Sequence, residues 1–140
     1  MTDYTLHLEL PSVAEYRHLR QIAGMTPRSE AAARAGLPAS ACAVVIRHEG
    51  RAVGMARVAG DALAYTLADV AVDPDHQGRG LGKRMMAALM ERLQQIAPAE
   101  AFVSLIADGD AQHLYAKYGF RDPAPASIGM EQWIGRKDAE

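Results

Sequence analysis

The sequence predicts a single domain of the mixed α/β class, a sheet carrying helices on both of its faces. Three observations predict it. Short apolar runs separated by glycine-containing turns fill the first half and read as successive strands. The second half reads as a strand, a loop, a helix, a strand and a helix in that order. Between the longest strand and the longest helix lies Gln77-Gly78-Arg79-Gly80-Leu81-Gly82-Lys83-Arg84, with glycine at alternate positions.

Tyr4 to Leu10 alternates as a strand, and Pro11-Ser12 opens a helix in which Ser12 and Glu15 make a capping-box pattern, ending near Gly24. Ser29 can cap a second short helix through the alanine-rich stretch to Gly36, followed by the turn Leu37-Pro38-Ala39-Ser40. Ala41 to Arg47 and Ala52 to Val58 are strands of a hairpin turned by His48-Glu49-Gly50-Arg51. Gly60-Asp61 turns the chain again into Leu63 to Val72, the longest strand. The helix Leu81 to Ile96 carries an apolar stripe of Leu81, Met85, Leu89, Leu93 and Ile96, and that stripe should pack on the sheet. Ala101 to Ala107 is a further strand, Asp110 can cap a helix through Tyr118, and Gly119 suits its left-handed stop. Phe120 then starts a last ribbon that includes Met130 to Ile134.

With 140 residues, 49% hydrophobic and 23% charged, the chain fits one domain of ordinary size over residues 1–140. A formal net charge of -2 argues against general nucleic-acid or membrane binding and makes the basic residues of the loop a local cluster. No basic segment followed by an apolar stretch opens the chain, and no run approaches the ~18 apolar residues of a membrane span, so a cytoplasmic protein is expected. Cys42 is the one cysteine and lies in an apolar run, where a buried inert thiol is expected.

The glycine loop carries the chemistry. Its free backbone N–H groups can converge on an anion, and the helix beginning near Leu81 adds its positive dipole end. Lys83 and Arg84 fall in the first turn, where a cation is disfavoured unless a bound anion offsets the dipole. A Walker loop would need Ser or Thr after Gly82-Lys83 and finds Arg84, while a dinucleotide fingerprint would need glycine at Lys83. What remains, Gln77-x-x-Gly80-x-Gly82 after an apolar strand, resembles the acetyl-CoA motif of the GCN5-related N-acetyltransferases, the GNAT superfamily. Leu114-Tyr115-Ala116-Lys117-Tyr118-Gly119-Phe120 is similar to the second signature of that family. The likeness is close from Leu63 to Phe120 and extends to the first 60 residues only in element order.

The resemblance implies a GNAT fold, mostly antiparallel and splayed at its centre, and an N-acetyltransferase with acetyl-CoA as donor. Gln77, Gly78, Arg79, Gly80, Leu81, Gly82 and Lys83 would bind the pyrophosphate, chiefly through backbone N–H groups, with charge from Arg79 and Lys83. Acetyl transfer to an amine needs an N–H donor for the oxyanion, a route for the amine proton and an acid for the departing thiolate. By resemblance the backbone of Val70, Ala71 and Val72 supplies donors to the acetyl and pantetheine carbonyls, and Tyr115 supplies the acid. A phenol of pKa ~10 keeps its proton at neutral pH. Tyr115 also belongs to a stripe with Ala111, Leu114 and Tyr118 that packing alone would explain, and Tyr118 is left with the core.

Asp69 interrupts an apolar strand, so it either meets a partner or points into a wet cleft, where it could bind the amine or accept its proton. Asp108 stands where family members carry a pantetheine-binding asparagine; an aspartate accepts but does not donate, and the alternative is a helix-start acid favoured by the dipole. His76 and His113 read as solvated, and single histidines give no metal site. The acceptor is expected to be a small primary amine or amino-acid derivative. A protein or peptide acetyltransferase, or an acyl-CoA-binding domain without turnover, are the alternatives. A homodimer is the commonest symmetric assembly open to it.

Overall fold

The computed structural model describes residues 3–135. Five strands form one sheet in the order of the chain: β1 (Tyr4–His7), β2 (Cys42–His48), β3 (Arg51–Gly60), β4 (Ala64–Val72) and β5 (Phe102–Ser104). The first four are antiparallel, and β4 and β5 are parallel. Helices α1 (Val13–Ile22) and α2 (Glu30–Gly36) join β1 to β2, α3 (Leu81–Ile96) joins β4 to β5, and α4 (Gln112–Ala116) follows β5.

The sheet has a core on each face. On one, Val44, Ile46, Val58, Tyr65 and Leu67 pack under Met85, Met86, Leu89 and Leu93 of α3 and against Tyr115 of α4. On the other, Met55 and Ala71 pack under Tyr16 and Leu19 of α1 and Ala33 of α2. Close approach of α3 is possible because residue 54 has no side chain; a Cβ there would stand 3.2 Å from the Met85 sulfur.

The strand expected over Tyr4 to Leu10 pairs only from Tyr4 to His7, while the capping signals of the first half act as expected. Ser12 Oγ accepts from Glu15 N at 3.1 Å while Glu15 Oε1 accepts from Ser12 N at 2.9 Å, completing the capping box. Ser29 Oγ caps α2 by accepting from Ala32 N. Gly119 takes φ 89° just beyond α4.

The carboxyl-terminal third departs from the sequence reading. The strand expected over Ala101 to Ala107 pairs only from Phe102 to Ser104. Asp110 does not cap α4; it lies in a 3-10 turn, and the helix begins one residue later, with Ala111 at its N-cap, and ends at Ala116, short of the expected Tyr118. No strand forms in the ribbon expected from Phe120 through Met130 to Ile134, where Ile128, Met130 and Ile134 are exposed among the described residues. Apolar residues with no facing strand cannot complete a ladder, and nearby Pro123 and Pro125 remove two donors.

Candidate active site in the splay of the sheet

β4 and β5 pair at Ala64↔Phe102, Tyr65↔Val103 and Thr66↔Ser104 and then separate, because β5 ends while β4 runs on to Val72. The gap is a cleft of 650 Å³ whose wall runs along β4 from Thr66 to Val72 and faces Leu105, Asp108 and Tyr115. A second hollow of 390 Å³ lies at the start of α3, lined by Gln77, Gly78, Gly80, Leu81, Gly82 and Lys83. Val70, Val72, Gln77, Ala111 and Tyr115 border both, so the two hollows adjoin.

β4 is not a regular strand. Between the pairs Arg57↔Ala68 and Met55↔Ala71 it sets Asp69 and Val70 against Ala56 alone, a bulge, with Asp69 at φ 57°. Aspartate tolerates this left-handed conformation better than the β-branched residues around it. The extra residue reverses the alternation. Tyr65 and Leu67 pack toward α3 before the bulge, Ala71 toward α1 after it, and Val70 and Val72 now join the α3 side.

Beyond the bulge the backbone offers donors to the cleft. Asp73 N donates to Val53 O on β3 at 2.8 Å, so by strand alternation Ala71 also turns its N–H toward β3, while Val70 and Val72 turn theirs to the open side. The carbonyl of Val72 faces that side too, accepting from Gln77 Nε2 at 3.3 Å. Of the three residues expected to supply backbone donors, Val70 and Val72 therefore address the cleft, and Ala71 lines it but spends its N–H on the sheet.

Asp69 has the partners that a buried carboxylate requires. Arg20 Nη1 donates to its Oδ1 and Arg57 Nε to its Oδ2, each at 2.5 Å, with the side chain only 6% exposed. Arg20 further donates to Thr26 O, and Arg57 to Ser40 Oγ at 3.2 Å. Nothing in the local sequence of β4 names these arginines; the only signal is the acid itself in an apolar strand.

At the helix end, Gly80 is the N-cap of α3 with φ 75°, and Gly78 has φ 79°. An added Cβ at either would meet no atom within 4 Å, so neighbouring packing does not demand glycine there; the backbone turn and the open space in front of it do. Arg84 N makes the first intrahelical bond to Gly80 O, and among the described residues no side chain caps the N–H groups before it. These residues fit a bound pyrophosphate: an uncapped helix start at an open hollow, with Lys83 on its lining.

Two basic residues of the loop point elsewhere. Arg79 lies over the Tyr4 ring, 6.0 Å from its centroid, and Arg84 donates to Tyr4 O at 3.2 Å. His76, read as solvated, shares a 2.8 Å hydrogen bond with the Tyr4 hydroxyl. Tyr118 is half-buried and donates to Lys83 O at 2.9 Å, tying the end of α4 to the first turn of α3.

Tyr115 is buried at the junction of the two hollows, its ring edge-on to Phe120 at 6.3 Å. Burial, and secondarily the nearby Asp108 carboxylate, push its phenol above the ordinary tyrosine value, so it holds its proton at neutral pH. Asp108 itself is exposed on the cleft wall and caps nothing with its side chain. Cys42 is half-buried away from this cleft, its thiol pushed up by burial.

Known proteins resemble this chain in sequence and in fold. GCN5-related N-acetyltransferase 2, chloroplastic, of Arabidopsis thaliana is 39% identical over 85 residues, 60% of this chain and 32% of that protein. Histone acetyltransferase TAP1 of Glycine max is 40% identical over 81 residues, 57% of this chain and 34% of that one. The chain thus spans about a third of the length of these curated relatives. A solved structure from meticillin-resistant Staphylococcus aureus, a probable acetyltransferase of unknown function, superposes with a TM-score of 0.87 at 34% identity, covering 94% of this chain and 99% of that one. The ribosomal-protein-S18-alanine N-acetyltransferase of Escherichia coli shares the fold, with a TM-score of 0.73 at 23% identity over 86% of this chain and 79% of that one. The sequence model of the acetyltransferase (GNAT) domain matches residues 39–122, which begin before β2 and end beyond α4 and so enclose the bulge, the glycine loop and Tyr115. More than half the chain is matched on the segment that builds the cleft, and the chain belongs to the GNAT acetyltransferase family.

Proposed function

We propose that the chain is an N-acetyltransferase that moves acetyl from acetyl-CoA to a primary amine by direct attack. One observation carries this reading: two adjoining hollows run from the uncapped start of α3, past the inward N–H groups of Val70 and Val72, to Tyr115 and the open cleft. Acetyl-CoA, when bound, supplies an activated thioester whose C–S bond breaks as the amine nitrogen bonds the acetyl carbon. Gln77, Gly78, Gly80, Leu81, Gly82 and Lys83 hold its pyrophosphate, and Arg79 adds charge by leaving the Tyr4 ring. Val70 N–H, with Val72 beside it, faces the carbonyl oxygen on which negative charge grows. Tyr115 gives its proton to the departing thiolate. Both Asp69 oxygens are engaged by arginines, so Asp69 acts here by fixing the bulge that aims Val70, and the amine proton leaves to water in the open cleft. Asp108 accepts from a pantetheine N–H.

A cleft of 650 Å³ suits a small amine or amino-acid derivative more than a folded protein surface. The test is thiol release from acetyl-CoA across a panel of amines, amino acids and peptides, with acetylated product identified by mass. Turnover of small amines supports the proposal. Tight binding of acetyl-CoA with no product from any amine would make the chain a binding domain instead, and product from peptides alone would move the acceptor class.

A further inference from the structure

We infer that the acceptor amine also carries an anionic group, a carboxylate or a phosphate, and that Arg28 holds that group at the open end of the cleft. The inference rests on the acetyl-transfer reading above and deepens it.

Arg28 lines the same cleft as Tyr115 and lies on the α1–α2 connection. Its guanidinium rests on the ring of Trp133, 4.6 Å from the centroid. The ring supplies no oxygen acceptor, and a guanidinium carries a fork of N–H donors matched to a carboxylate or phosphate. Among the described residues no carboxylate pairs with it, whereas Arg20, Arg34, Arg47 and Arg57 all have one.

The loop that carries Arg28 is fastened. Arg20 Nε donates to Thr26 O at 2.8 Å, and Arg17 Nε donates to Arg28 O at 2.9 Å, so α1 holds the backbone at the residue and just before it. A ligand group meeting it encounters a cation already in place, which lowers the ordering cost of binding.

The ion cluster on the same cleft has the same net sign. Arg20 and Arg57 share the one carboxylate of Asp69, leaving a surplus positive charge in a largely buried cluster, where screening by water is weakest. An uncharged amine would leave Arg28 without an anion. Asp108 and Glu131, the two other carboxylates on the cleft wall, are exposed and suit the ammonium form in which an amino acid or an amino phosphate arrives.

Trp133 is the one tryptophan of the chain, so its fluorescence reports directly on Arg28 without requiring turnover. Protein saturated with CoA is titrated with matched pairs: each of several α-amino acids against its amide, and O-phosphoethanolamine against ethanolamine. Thiol release from acetyl-CoA is measured on the same pairs. The expected result is an emission change and turnover with an anionic member, weaker by tenfold or more, roughly, with its neutral partner, as for a lost hydrogen bond to a charged group. The pair that responds separates a carboxylate from a phosphate. Arg28→Gln should raise the Michaelis constant for the anionic amine by about 10- to 100-fold, leave that for acetyl-CoA unchanged, and abolish the discrimination within the pair. Equal response to both members of every pair, silence of every anionic member in fluorescence and turnover, or full discrimination retained in Arg28→Gln would each overturn the inference. The acetyl-transfer reading would survive any of these if neutral amines or peptides are acetylated, so the two failures are distinguishable.

Discussion

Tyr115 is both a packing residue and the one phenol at the junction of the two hollows. Tyr115→Phe keeps the ring contact with Phe120 and removes only the hydroxyl, so folding stability at neutral pH should change little while turnover falls by roughly 10²–10⁴. The loss should be greatest with an acyl donor whose leaving thiolate is most basic. Wild-type turnover with every donor thiol would return Tyr115 to packing alone. Its raised phenol also fixes a sign. The folded state retains that proton at a pH where the unfolded chain has lost it, so this contribution is complete below about pH 10 and disappears as pH rises through the folded value. Tyr115→Phe lacks it, and urea melts should show a shallower alkaline decline than in the wild type. Asp69 makes a different prediction. Asp69→Asn preserves volume and tolerance of φ 57° but leaves Arg20 and Arg57 without their anion, which should destabilise the fold by about 3–5 kcal/mol in urea unfolding. A change below about 1 kcal/mol would mean that the cluster behaves like a solvated surface pair.

Two elements do the positioning, the β4 bulge and the start of α3. The bulge is a one-residue insertion, yet it decides which backbone N–H groups face the cleft, because a strand's two sides alternate residue by residue. At α3 the decisive residue is Gly80, with φ 75° and open space where a Cβ would stand. Gly80→Val places a β-branched side chain in that space and in a conformation it disfavours, at a cost of about 1–3 kcal/mol. The Michaelis constant for acetyl-CoA should rise severalfold or more while the acceptor's stays near its original value. If steady-state kinetics of the folded variant show no change for acetyl-CoA, the loop is only a turn.

For the molecule as a whole, the two cores on opposite faces of the sheet hold β4 from both sides while β5 diverges from it, so the ligand path is a seam in the sheet itself. A ligand filling that seam bridges α3, β4 and α4 and should stabilise the entire fold by mass action. Acetyl-CoA is therefore expected to raise the melting temperature more than ATP or NAD at equal concentration. Equal or larger shifts with the nucleotides would remove the assignment of the glycine loop. Among the described residues no helix is long and apolar enough to cross a membrane.

The sequence by itself determined the elements whose cause is local. Ser12 and Glu15 specify the start of α1, alternate glycines specify the turn into α3, and the spacing of Leu81, Met85, Leu89 and Leu93 specifies the face that α3 buries. It also pointed to one family through two motifs, the glycine loop and the segment around Tyr115, and the fold expected from them is the fold observed. The ribbon after Phe120 and the full length of β5 were misread because apolar composition gives no indication of whether a neighbouring strand will be there to pair. Tertiary structure alone decided the partners of Asp69, since Arg20 and Arg57 come from different elements and meet it only when α1 lies on the sheet. It alone brought Arg28 onto Trp133 across most of the chain's length. The caps of α1 and α2 and the glycine turn into α3 are encoded within a few residues and survive reading in isolation; a buried ion pair or a cation resting on a distant ring is a property of distance in space, and sequence separation carries no record of it.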